Sequence, residues 1–181
     1  MKKLLIGAIV GGILIFVWQT LSWTVLDMHR ANQEYTPKQD TILSYLSSQF
    51  SEDGSYFLPN TPKGASSEEK SKVMNSSMGK PWAEIHYHKA LNISMGANIA
   101  RGLIVDIIIV ALLCWVLLKV SPASFGNFFL SCLFVGLIVF MNSPYTIHIW
   151  YPKADIMAHL WDAIISWGLC GIWLGWYYKK P

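Results

Sequence analysis

The sequence predicts a mainly α fold: a four-helix transmembrane bundle with a small α+β extracytoplasmic insertion between helices 1 and 2. Three observations lead there. Hydrophobic residues make up 53% of the 181-residue chain, and its mean hydropathy is +0.36, a composition of integral membrane proteins. The apolar residues gather into four runs separated by polar segments. Between the first and second runs, residues 27–98 are too many for a loop without structure of its own. The net charge of +3 contains no basic cluster, which sets nucleic acid aside as a partner.

Residues 4–26, LLIGAIVGGILIFVWQTLSWTVL, follow Lys2 and Lys3. A charged start and an apolar core fit a signal peptide, but Trp18, Gln19 and Trp23 stand where a small-residue cleavage site belongs. At 1.5 Å per residue the run also crosses a core of about 30 Å. The expectation is an uncleaved signal anchor over 1–26. The second span runs from about Ile99 to Val120 and the third from about Phe125 to Met141, with the fourth from about Ala154 to Tyr178, so residues 99–181 carry helices 2–4. Gly7-x-x-x-Gly11 and Gly171-x-x-x-Gly175 put small residues one turn apart, where helices can approach closely.

Short-loop lysines set the orientation. With the N-terminus inside, Lys2, Lys3, Lys119, Lys179 and Lys180 face the cytoplasm, and Lys153 alone lies in the short outer loop. This predicts a multi-pass protein of a bacterial inner (plasma) membrane with both termini cytoplasmic and the bilayer as its first partner. Cys114, Cys132 and Cys170 sit inside apolar runs without a CxxC pattern, and read as buried small side chains.

Within the insertion, residues 27–98, TPKQDTILSYLSSQF suggests a helix capped by Thr36 with Gln39 completing a capping box, and Ile42, Leu43, Leu46 and Phe50 on its apolar face. Ser67 is expected to cap a second helix stopped near Gly79. SYFLP and PWAEIHYHK suggest two strands of a hairpin. Alternation places Ala83, Ile85 and Tyr87 on one face, with Glu84, His86 and His88 on the other. A domain this small is expected to need support from elsewhere.

GKPW at 79–82 and WGLCGIWLGW at 167–176 resemble stretches of small four-helix bacterial membrane proteins, a domain family of uncharacterised function. The resemblance implies a four-helix frame and assigns no chemistry.

Under the expected topology all five histidines fall in the outer segment, the outer loop or an outer helix end. Asp106 and Asp162 lie about 10 Å inside spans 2 and 4, where an acid survives only by facing the bundle, pairing or staying protonated. Arg101, Asp106, His159 and Asp162 therefore form a candidate intramembrane polar cluster. In its plain form Arg101 neutralises Asp162, while Asp106 accepts from His159, Gln19 or a bound water. A second account is a metal site: Glu84, His86 and His88 offer carboxylate and imidazole suited to Zn²⁺ or Cu²⁺, with His29, His148 and His159 available to complete it. Outer methionines such as Met28 and Met157 would favour Cu(I). A third account is proton coupling, opposed by the lack of ionisable groups in the inner half of any span.

No GxSxG, HExxH, Walker or dinucleotide motif occurs, so the expected role is non-enzymatic: an envelope accessory or interaction protein with a protein partner, or alternatively a metal-binding or transport-related one. The topology has a direct test. Cysteines introduced as Asn60→Cys and His148→Cys should react with an impermeant thiol reagent from outside the cell, and Ser121→Cys should not. Outside labelling at 121 would invert the orientation.

Overall fold

The structure is a computed structural model, and it describes residues 1–120 and 124–179. The orienting Lys180 lies outside the described residues. Among the described residues the chain is mainly helical, with one two-stranded sheet. It divides into two compact units, one comprising Met1–Glu34 with Ser94–Pro181 and the other Tyr35–Ile93.

In the first unit, helix α1 (Lys2–Thr20) runs on through a π-helical turn, Leu21–Val25. Helix α4 (Met95–Val120) begins four residues before the expected Ile99, and α5 (Phe125–Phe140) continues through a second π-turn, Met141–Tyr145, into α6 (Thr146–Trp150). Helix α7 spans Ile156–Tyr178. The third apolar run is thus longer than the expected 125–141. Pro144 does not end it, because the widened turn accommodates the proline ring and Thr146 Oγ1 donates to the Met141 carbonyl at 2.7 Å. Four helical segments, Lys2–Val25, Met95–Lys119, Phe125–Trp150 and Ile156–Tyr178, are long and apolar enough to cross a membrane.

Helix α1 packs between α4 and α7, and α7 between α1 and α5. Ala8, Ile15, Val110, Cys114, Phe128, Cys132, Trp167, Cys170 and Leu174 fill the core between them, and the three cysteines are free and buried as expected. Glycine makes the close approaches. A Cβ added at Gly12 would stand 2.7 Å from the backbone of Ile107, and one at Gly136 would stand 2.6 Å from the Ala163 carbonyl. The expected small-residue pairs behave alike: Gly7 lies under the Tyr178 ring, and Gly171 and Gly175 lie against the α5 backbone at Phe129 and Phe125. Leu112, Trp115, Phe134, Ile138, Ile172 and Trp176 point outward, each about half exposed or more. An outer surface this apolar suits a hydrocarbon solvent.

The second unit holds α2 (Gln39–Gln49), β1 (Gly54–Leu58), α3 (Ser67–Ser77) and β2 (Ala83–Tyr87). The strands pair antiparallel as expected, Ser55 opposite His86 and Phe57 opposite Glu84. Both helix starts differ from expectation. Thr36 Oγ1 accepts from Lys38 N at 3.3 Å, so it caps a local turn, and α2 begins behind Lys38 with no side-chain cap. The capping box of α3 uses Ser66, one residue earlier than Ser67, because Glu69 is the acid at the right spacing to return a bond to the Ser66 backbone. The Ser66 backbone N–H, with its hydroxyl, holds the Glu69 carboxyl below the usual glutamate range. At the other end Gly79 takes a positive φ of 75°, which turns the chain toward β2.

The close approach of α1 to α4 predicts that Gly12→Ala lowers the unfolding midpoint in detergent by the equivalent of about 1–3 kcal/mol. Gly168→Ala, at a position with nothing within 4 Å, should leave it unchanged or slightly raised. Circular dichroism melts of the two variants check this.

Candidate functional site

Three polar side chains of the first unit, Asp155, His159 and Asp162, converge on His29. Past the π-turn, Asp27 adopts φ 50°, a left-handed conformation that aspartate tolerates better than most residues. Met28 N then bonds back to the Ser22 carbonyl at 3.0 Å. This reversal buries the His29 ring, which is 2% exposed. Trp23 covers one face of that ring, parallel within 5° at a centroid distance of 3.8 Å, and His159 meets it edge-on at 4.7 Å.

Both nitrogens of His29 meet carboxylates. Nδ1 lies 2.8 Å from Asp155 Oδ2 and Nε2 lies 2.9 Å from Asp162 Oδ2. A neutral imidazole has one donor, so the second contact requires either a protonated ring or a protonated carboxyl group. The Asp155–His29–Asp162 chain therefore holds one proton more than a neutral ring flanked by two carboxylates.

The surrounding bonds fix the acids. Trp18 Nε1 donates to Asp162 Oδ1 at 2.9 Å, and Ser166 Oγ donates to the Asp162 main-chain carbonyl at 2.5 Å. Asp155 stands at the N-cap of α7, where an aspartate normally accepts a bond from the first turn of the helix. Here no such bond forms. The carboxylate turns instead to His29 and, at 3.4 Å, to His159 Nε2, while its Oδ1 is buried without a hydrogen-bond partner. Forgoing a cap costs about 1 kcal/mol locally, a local sacrifice of the kind functional sites make.

Among the expected cluster residues, His159 and Asp162 do come together, with His29 as their third member. One potential ligand atom from each of the three lies within 4.8 Å of the others. Arg101 does not join them. It is exposed and forms no ion pair among the described residues, because Trp18 and His29 already occupy Asp162. Asp106 is buried, yet its Oδ2 has no partner and it bonds to neither His159 nor Gln19. The strand residues also stay apart. His86 Nδ1 is engaged by Ser55 Oγ at 2.8 Å, and its Nε2 is 3.8 Å from Glu84. His88 faces Asp53 at 3.5 Å instead. Asp53 is itself held below its usual range, first by the Lys89 backbone N–H and then by His88. Glu84, His86 and His88 thus do not converge as a ligand set. His148 accepts from Lys153 N at 3.0 Å and closes a turn.

Sequence reasoning missed Asp155 and Trp18 as site residues. The signal for Asp155 is an acid four residues before His159, which reads as an ordinary helix cap until the fold brings His29 to it. No family model, curated protein or solved structure matches the chain, so the reading of the site rests on its geometry.

Replacing His29 by alanine leaves the buried Asp155 and the largely buried Asp162 without their common partner, so His29→Ala should destabilise the protein by about 3–5 kcal/mol. Arg101→Ala should fall within about 0.5 kcal/mol of the parent. Chemical denaturation in detergent distinguishes the two, and an Arg101 effect as large as that of His29 would restore the ion pair with Asp162.

Proposed function

We infer that this chain is a polytopic membrane protein with a non-enzymatic, partner-binding role, its four apolar helices embedded and residues 35–93 serving as the recognition unit. One observation carries the reading: within Tyr35–Ile93, Tyr87 is the single buried hydrophobic side chain among the described residues. The apolar face of α2 is open, with Ile42, Leu43 and Tyr45 all more than 40% exposed. A groove of about 620 Å³ runs between α2 and β2, lined by Leu43, Leu46, Ile85, Tyr87 and Leu91 among others. A unit with so small a core gains its missing burial from a partner surface.

Lysine bias supports cytoplasmic termini, with Lys2, Lys3, Lys119 and Lys179 on one side, and a bacterial inner membrane with the recognition unit outside suits the same arrangement. The resemblance to small four-helix membrane proteins fits this frame. The runner-up reading, metal binding, draws its support from His29, His159 and Asp162 in the first unit.

The test is cross-linking in intact cells followed by purification in mild detergent. The parent chain should retain a stoichiometric partner, and Leu43→Asp should lose it while keeping its helicity. Equal recovery from both chains, or recovery from neither, sinks the reading.

A further inference from the structure

We propose that His29, His159 and Asp162 form a binding site for one divalent transition-metal ion of the zinc class, with Asp155 and Trp18 as its orienting shell. The donor set comes first. Two imidazoles and one carboxylate suit Zn²⁺ and its neighbours in the first transition row, and three protein ligands leave a position open for water or a small anion. Their ligand atoms already lie within 4.8 Å of one another.

The metric fits as well. Ligand atoms about 2.0–2.1 Å from zinc stand roughly 2.9 Å apart at a right angle and about 3.3 Å apart at the tetrahedral angle. His29 Nε2 and Asp162 Oδ2 are 2.9 Å apart. An ion replacing the proton between them needs the two atoms to part by a few tenths of an ångström, with His159 rotating in to complete the set.

The outer shell has the form that metal sites use. A ligating histidine commonly gives its second N–H to a carboxylate, which fixes the ring and raises its basicity. His29 Nδ1 lies 2.8 Å from Asp155 Oδ2, in place for that bond, and the same Oδ2 lies 3.4 Å from His159. Trp18 binds the outer oxygen, Oδ1, of Asp162, which leaves Oδ2 directed at His29. Asp155 Oδ1 adds a second, independent sign: a fully buried carboxylate oxygen without a donor leaves the pocket short of positive charge. Once an ion displaces the extra proton, neutral imidazoles and two carboxylates carry two negative charges, which a divalent ion balances. The ligand set is not sealed within the protein: the His159 side chain is 26% exposed and that of Asp162 is 15% exposed.

The site lies in a different unit from the partner-binding groove, so loss or retention of a partner has no bearing on this test. Full-length protein purified in detergent is stripped with a chelator, dialysed and titrated with Zn²⁺ and with Co²⁺. Bound metal is measured per chain, and Co²⁺ is followed by its visible absorption. The parent should bind one ion. His159→Gln and Asp162→Asn should each weaken binding at least tenfold. Asp155→Asn should weaken it about 10–100-fold while keeping the stoichiometry, as expected for an orienting residue. The double variant His86→Gln/His88→Gln should bind like the parent. His29 is left intact in every variant so that the fold persists, and helicity confirms it. Folded parent protein without a stoichiometric ion overturns the proposal. So does binding that survives both His159→Gln and Asp162→Asn, or that falls with the His86/His88 pair.

Discussion

A histidine held at both nitrogens by carboxylates is the constraint around which the helical unit is arranged. Charges removed from water are costly unless they are paired and hydrogen-bonded. Asp155, at the head of α7, is buried and Asp162, farther along it, is largely buried, and both carboxyl groups meet the same ring, His29. The π-turn at Leu21–Val25, the left-handed Asp27 and the parallel Trp23 ring all belong to the path that delivers it. The bare N-cap of α7 follows from the same demand, because the capping carboxylate is committed elsewhere.

Helix packing supplies the frame in which this contact is possible. Trp18 reaches Asp162 because α1 lies directly against α7. The contact is reinforced at the opposite end, where the Tyr178 hydroxyl donates to the Lys3 carbonyl at 3.0 Å and Trp173 Nε1 donates to the Gly7 carbonyl at 3.2 Å. Polar bonds thus tie the pair at both ends, and apolar packing with glycine contacts fills the middle. Such bonds between helices count for more where water does not compete for them.

The helical frame was legible because long apolar runs and short polar breaks have few alternatives. The hairpin was legible because Ala83, Ile85 and Tyr87 alternate with Glu84 and His86. Where sequence reasoning failed, local and tertiary demands diverged. Thr36 and Gln39 match a capping box that never forms, while Ser66 and Glu69 form one a residue away from expectation. His159 and Asp162 were visible as a pair one turn apart. Their third member lies 133 residues from Asp162, and no spacing rule reaches that far. Arg101 was the expected counter-charge of Asp162; the actual partner, His29, sits in a turn within residues 27–98, which the sequence assigns to the insertion. The third run outlasts its expected end at Met141 because a π-turn absorbs Pro144.

The row of helices, α4 then α1 then α7 then α5, has a consequence for biosynthesis. Helix α1 emerges from the ribosome long before α7, and the acid Asp155 that completes the His29 contact follows it by 126 residues. During that interval α1 has only α4 as a packing neighbour, and its Trp18 and His29 ends wait without their acceptors. In the finished fold α7, the latest of the four in the chain, sits between two earlier helices, α1 and α5. A chain that stalls before α7 leaves Trp18 and His29 without the carboxyl groups they meet in the folded unit.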